Sequence, residues 1–260
     1  MSANLDNSTA TPAPRRWTPG PRLRAAGTLI GAPAWVLFSM FGLAGAVLSL
    51  VFMLFPPLDI ASKTIVGQLV GNTAIYAVAV FFVLLPLLAR KKVAEIATFL
   101  GLHKKLTFSG VGWAIVAFVI YFWTTIVVSL IVAQIPGFNA QQEQNVGFTD
   151  VTTVLEYVMA FIGLVVLPPI FEETLFRGYL FGRLRQHVGF WFSTLVTSAV
   201  FGFVHGQWNV GIDTFVLSIF LCVLREYTGS LWASMILHAL KNGLAYFFLF
   251  IGPLIGLNLL

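Results

Sequence analysis

The sequence predicts an all-α membrane protein, a polytopic bundle of about seven transmembrane helices, with six to eight as the range its apolar runs allow. Three observations carry that prediction. Apolar residues make up 58% of the 260-residue chain and charged residues only 10%, with a mean hydropathy of +0.90. A water-soluble domain carries about 25% charged residues, so there are too few here to wet a soluble surface. The apolar residues fall in runs near the ~20 residues that cross a bilayer. The basic residues between those runs fall almost entirely in alternate connections. These features exclude a cytosolic enzyme, a disordered chain and a secreted disulfide scaffold. Cys222, the single cysteine, can form neither an internal disulfide nor a cysteine zinc cluster.

Residues 1–28 hold Pro12, Pro14, Pro19, Pro21 and four arginines, and read as a disordered basic cytoplasmic tail. Residues 29–260 read as a single transmembrane domain, with its catalytic core at about 152–250. No cleavable signal peptide is evident, so the first span is expected to act as an anchor as well. Apolar segments follow near 34–56, 66–89, 110–135, 152–171, 190–210, 214–228 and 231–250. Arg15, Arg16, Arg22 and Arg24 precede the first. Arg90, Lys91, Lys92, Lys104 and Lys105 lie between the second and third. Arg177, Arg183 and Arg185 lie between the fourth and fifth, and Arg225 between the sixth and seventh. Thirteen of the 15 basic residues thus share one side; Lys63 lies in an opposite loop and Lys241 inside a span. The expected topology is a multi-pass protein of a bacterial plasma membrane, N-terminus cytoplasmic and C-terminus outside. This placement explains the net charge of +5 without nucleic acid as a partner. Segment 91–107 is amphipathic and basic, and fits either the inner leaflet surface or a plain loop. No internal repeat is visible, which weakens transporter folds built from inverted repeats.

Ionisable groups inside a membrane cost at least about 2.5 kcal/mol at its centre, so those that sit deep carry the information. The first group is Phe171-Glu172-Glu173-Thr174-Leu175-Phe176-Arg177, after Pro168-Pro169. Glu173 and Arg177 are four apart and share a helix face. Glu172 points about 100° away, without a local partner, as a general base raised by burial would. The second is Phe201-x-x-x-His205, beside a ridge of Ser198, Gly202 and Gly206 that lets helices approach closely. The third is His238-x-x-x-Asn242, one turn apart on one face of the last span. Each group alone also fits a bland role: charges at the membrane edge, a histidine bonded to a backbone carbonyl, an interhelical polar pair. Gln68 and Asn72 read as bundle hydrogen bonds, Glu156, Asp213 and Glu226 as solvated span ends, and Cys222 as a small core residue.

Spacing ties the groups together. Glu172 lies about 16 residues before a turn at 187–189 and His205 about 16 after it, so both stand roughly 25 Å from the hairpin tip. His238 lies roughly 12 Å from the turn at Gly229-Ser230. If the hairpin projects by that difference into the cytoplasm, Glu172, His205, His238 and Asn242 converge in one cavity, open or nearly open to the cytoplasm. A glutamate, two histidines and an asparagine suit water activation and oxyanion stabilisation. Gly-x-Ser-x-Gly and His-Glu-x-x-His are both absent, and the four aspartates (Asp6, Asp59, Asp150, Asp213) read as tail or loop residues. A glutamate hydrolase and a zinc site with Glu172, His205 and His238 as ligands both remain open on these residues.

In order, Glu172-Glu173-x-x-x-Arg177, Phe201-x-x-x-His205 and His238-x-x-x-Asn242 resemble the CPBP family, over about 170–245. These are the type II CAAX prenyl endopeptidases and the related bacteriocin-processing or immunity (Abi-like) membrane proteins. The resemblance implies an intramembrane endopeptidase acting on a membrane-associated peptide or protein, prenylated CAAX-type substrates included. It implies that Glu172 activates water with His205 assisting, that His238 and Asn242 stabilise the oxyanion, and that Glu173 and Arg177 hold the helix and tune Glu172. It favours a glutamate protease without a catalytic metal or other cofactor, with a zinc protease as the alternative. The expected partners are the substrate and the lipid bilayer. The competing functions are an immunity or binding protein using the same cavity without catalysis, and a small proton-linked transporter.

Overall fold

The computed structural model describes residues 20–61, 64–139, 142, 148 and 151–257, and its regular structure there is entirely helical. Among the described residues six helices are long and apolar enough to cross a membrane: α1 (Pro21–Leu54), α3 (Ile65–Leu88), α5 (Phe108–Val132), α6 (Val154–Arg185), α8 (Trp208–Thr228) and α9 (Leu231–Ile255). Between them lie the short α2 (Pro56–Ala61) and α4 (Val93–Leu100). The fifth apolar segment forms α7 (Phe190–Phe203), which has only 14 residues. At about 1.5 Å per residue it reaches roughly 21 Å, short of a ~30 Å hydrocarbon core. The chain is thus a polytopic helical bundle, an integral membrane protein with six candidate spans and a shorter apolar helix among the described residues.

Local chemistry sets the helix ends. α1 begins at Pro21, inside the stretch read as a tail, because proline at the first helical position has its φ set for a helix and no N–H to leave unpaired. Arg15, Arg16 and the rest of residues 1–19, like Lys63 and Asp150, lie outside the described residues. Thr64, Thr107 and Thr153 cap α3, α5 and α6, Thr153 in a capping box with Glu156. Glu156 thus lies at a solvated span end, as expected, and caps the start of α6 there.

The basic segment after α3 packs on the bundle. Ile96 and Leu100 of α4 are buried in the cluster formed by Leu175, Tyr179 and Leu180. A Cβ on Gly178 would stand 2.9 Å from Leu100, and one on Gly182 3.2 Å from Phe99. Glycine at both positions lets α4 lie close against the end of α6. That end is tied to α8 by a two-pronged Arg185–Glu226 ion pair at 2.7 and 3.1 Å. The hairpin tip is held against the end of α8 and does not stand free.

α7 and α8 form the tightest pair. A Cβ on Gly202 would meet the Gly211 carbonyl oxygen at 2.6 Å, and one on Gly211 would meet that of Gly202 at 2.9 Å. Gly206, expected on the same ridge, instead turns the chain with φ +69°, a conformation open to glycine. It ends α7 early and leaves His205 in the turn.

Candidate active site

The Pro168-Pro169 pair does not break α6. A π-helical turn at Ile162–Val166 runs directly into it and the helix continues to Arg185. Proline has no N–H, so the Leu164 carbonyl loses its α-helical donor at Pro168 and its π-helical donor at Pro169. The Asn242 amide donates to that carbonyl at 2.9 Å. A second π-helical turn, Thr174–Leu180, follows Glu172-Glu173 and carries Arg177.

Glu173 and Arg177 are both fully buried and bonded to each other at 3.0 Å. The same Glu173 oxygen accepts from His238 Nδ1 at 2.9 Å. The Arg177 guanidinium stacks 4.2 Å over the ring of Phe201. Phe201 in turn packs edge-on against His205 and His238, with centroids 4.9 and 5.9 Å apart. Its carbonyl accepts from His205 Nδ1 at 2.7 Å, which leaves Nε2 with a free lone pair. Glu173, Arg177, Phe201, His205 and His238 form one connected structure, with Phe201 at its centre.

Glu172 faces the other way. Its Oε1 accepts a 2.6 Å hydrogen bond from Tyr76 of α3, whose ring stacks on Phe171 at 5.4 Å. Its Oε2 is buried without a hydrogen-bond partner, 3.9 Å from His238 Nε2. Glu172, His205, His238 and Asn242 line one cavity of about 200 Å³ together with Tyr76 and Lys241. The convergence expected from spacing is therefore present. The cavity continues along Leu164, Ala245 and Leu249, toward the bundle end opposite the basic turns. On the other side the Phe201–Arg177 packing closes it.

Several site residues escaped the sequence reading. Tyr76 is one turn beyond Asn72 and two beyond Gln68, on the face already marked as polar, yet an amphipathic tyrosine raises no alarm in an apolar span. Asp213 was expected at a solvated span end. It lies within α8, where it accepts from Tyr121 and Thr125 of α5 and faces Lys241 at 3.4 Å. Among the described residues no three His, Cys, Asp or Glu side chains stand together as a metal-ligand group. Glu172, His205 and His238 share a cavity without forming that set.

Comparison with known proteins falls on the same segment. Residues 154–244 match the family described as type II CAAX prenyl endopeptidase Rce1-like. The chain is 25% identical over 130 residues to YdiL of Bacillus subtilis (strain 168), a membrane protein assigned as a peptidase; this covers 50% of this chain and 52% of YdiL. It is also 25% identical over 150 residues to the membrane-embedded CAAX protease MroQ of Staphylococcus aureus (strain USA300), covering 55% of this chain and 60% of MroQ. The chain thus spans little more than half the length of the curated relatives it matches. No solved structure matches it significantly. The segment that carries Glu172, His205, His238 and Asn242 is the one that matches the Rce1-like type II CAAX prenyl endopeptidase family.

Proposed function

We propose that the protein is an intramembrane endopeptidase in which Glu172 activates water. The observation that carries this reading is the state of the Glu172 carboxylate. One oxygen is fixed by Tyr76, while the other is buried, unpartnered and turned into a cavity shared with two histidines and an asparagine. In this reading a water between Glu172 Oε2 and His205 Nε2 gives a proton to Glu172 as its oxygen attacks the substrate carbonyl. The C–O bond forms and the carbonyl electrons move to the oxygen. Asn242 has a second amide hydrogen beyond the one given to Leu164, and donates it to that oxyanion. His238 donates from Nε2 when that nitrogen is protonated, its ring held by Glu173 through Nδ1. Collapse breaks the C–N bond, and Glu172 returns its proton to the leaving amine.

Glu173 and Arg177 act as the support: they hold His238 and Phe201 without facing the cavity. The substrate class is a peptide or membrane-bound protein, with prenylated CAAX-type sequences the first to try because one relative is named a CAAX protease. Purified protein should cleave a quenched peptide in such a panel, and Glu172→Gln should lower the rate by about 10²–10⁴-fold while the protein stays folded. Wild-type cleavage by Glu172→Gln would overturn the proposal. A cellular phenotype kept by an inactive Glu172→Gln variant would favour a binding or immunity role.

A further inference from the structure

One buried charge in the cavity goes unpaired although a partner of opposite sign stands beside it. Glu172 Oε2 is buried without a hydrogen-bond partner among the described residues, yet a lysine lines the same cavity. His238, Lys241 and Asn242 fall at i, i+3 and i+4, so one face of α9 carries all three into it. His238 Nε2 stands 3.9 Å from Glu172 Oε2, and Lys241 is one turn further along the face, on a flexible four-carbon stem. In a medium of low dielectric an ammonium and a free carboxylate oxygen attract strongly, and buried charges are as a rule paired. Lys241 turns instead to Asp213 of α8, with its Nζ 3.4 Å from Oδ2.

The reason lies on α5. Tyr121 and Thr125 are one turn apart, and both donate to Asp213 Oδ1, at 2.5 and 2.7 Å. Tyr121 is 3% exposed and its ring packs edge-on against Phe220 with centroids 6.1 Å apart, so its hydroxyl has little freedom. Hydrogen bonds to a charged acceptor are the strong ones, and two of them fix the Asp213 carboxylate within an apolar helix. With Oδ1 taken by two hydroxyls, Oδ2 is left for Lys241. Glu172 accepts a single hydroxyl, that of Tyr76, on Oε1.

We propose that Asp213 is a positioning residue: with Tyr121 and Thr125 it holds the Lys241 ammonium away from Glu172 and keeps Oε2 open to water. The ion pair it prevents would occupy the lone pairs with which Glu172 takes a proton. A lysine in this cavity is compatible with a glutamate base only while another acid claims it. The value of this arrangement to the reaction rests on the peptidase reading; the competition of two carboxylates for one ammonium does not.

Asp213→Asn keeps an oxygen for the Tyr121 and Thr125 hydroxyls and removes the charge that holds Lys241. In peptide cleavage its kcat should fall about tenfold or more with KM little changed, the loss expected when about nine in ten molecules carry a Lys241–Glu172 pair. In a Lys241→Met background the same substitution should cost less than about threefold. A residue that served packing alone would lose as much with Lys241 replaced as with it present, and that result would overturn the proposal. Thermal unfolding in detergent reads the pairing without any substrate. In the Asp213→Asn protein, Lys241→Met should lower Tm, and the loss should disappear when Glu172→Gln is added. With Asp213 in place, Glu172→Gln should leave the effect of Lys241→Met unchanged. Equal losses with and without Glu172→Gln in the Asp213→Asn protein, beside intact wild-type cleavage, would overturn the proposal and leave the peptidase reading standing. The expected coupling with no Glu172-dependent cleavage by the wild type would uphold the charge competition and remove the peptidase reading instead.

Discussion

Tyr76 shows how much of the site depends on one hydroxyl. It fixes Glu172 Oε1, and so decides which carboxylate oxygen faces the cavity. A hydrogen bond to a charged group is worth about 1.5–3 kcal/mol, and each 1.4 kcal/mol is a factor of ten. Tyr76→Phe keeps the stack on Phe171 but frees the carboxylate to rotate. In steady-state peptide cleavage its kcat should fall about tenfold or more with KM little changed. A variant that raised KM alone would make Tyr76 a substrate contact instead. In the sequence only its spacing from Gln68 and Asn72 sets Tyr76 apart from the other aromatics of the apolar spans; its partner shows what it does. Glu172, His205, His238 and Asn242 were legible because ionisable or amide groups in an apolar run are costly unless used. Asp213 was misread for a related reason. A carboxylate six residues into an apolar helix resembles a span end until the hydroxyls of Tyr121 and Thr125 and the Lys241 ammonium are seen around it.

At the scale of elements, the irregular turns of α6 do as much as its length. The two prolines strip the Leu164 carbonyl of both local donors, and Asn242 of α9 supplies the missing one. Asn242→Ala should therefore cost about 1–3 kcal/mol of stability as well as activity, because it leaves a buried carbonyl unpaired. Pro168→Ala restores an N–H four residues from Leu164. The double variant should lose less stability than the sum of the two single changes, as read by thermal unfolding in detergent; strict additivity would show that the carbonyl has another donor. The α7–α8 pair gives a simpler expectation. Gly202→Ala drives a methyl into the Gly211 carbonyl, and should lower stability by about 1–3 kcal/mol and displace the His205 turn. Hydropathy marked the spans well, since length and apolarity are local properties. It did not separate the short α7 from a full span, because the end of α7 is set by the left-handed turn at Gly206. Nor could it say that α4 docks on α6, which depends on two glycines of α6 distant in sequence.

Across the whole molecule, the residues that match the Rce1-like family build only part of the cavity. Residues 154–244 supply Glu172, His205, His238 and Asn242. The hydroxyl on Glu172 comes from α3, and the hydroxyls that hold Asp213 opposite Lys241 come from α5. Without α1–α5, the Glu172 and Asp213 faces of α6 and α8 would turn toward lipid, where each unpartnered carboxylate costs at least about 2.5 kcal/mol. The chain also divides naturally for a test, since α5 ends at Val132 and α6 begins at Val154. Residues 142–260 expressed alone should be inactive in the quenched-peptide assay. Co-expression with residues 1–139 as a separate chain should restore Glu172-dependent cleavage, because helices formed in the membrane can find their partners without a covalent link. Activity of the C-terminal piece by itself would show that the four motif residues suffice, and that Tyr76 and the α5 hydroxyls serve packing alone.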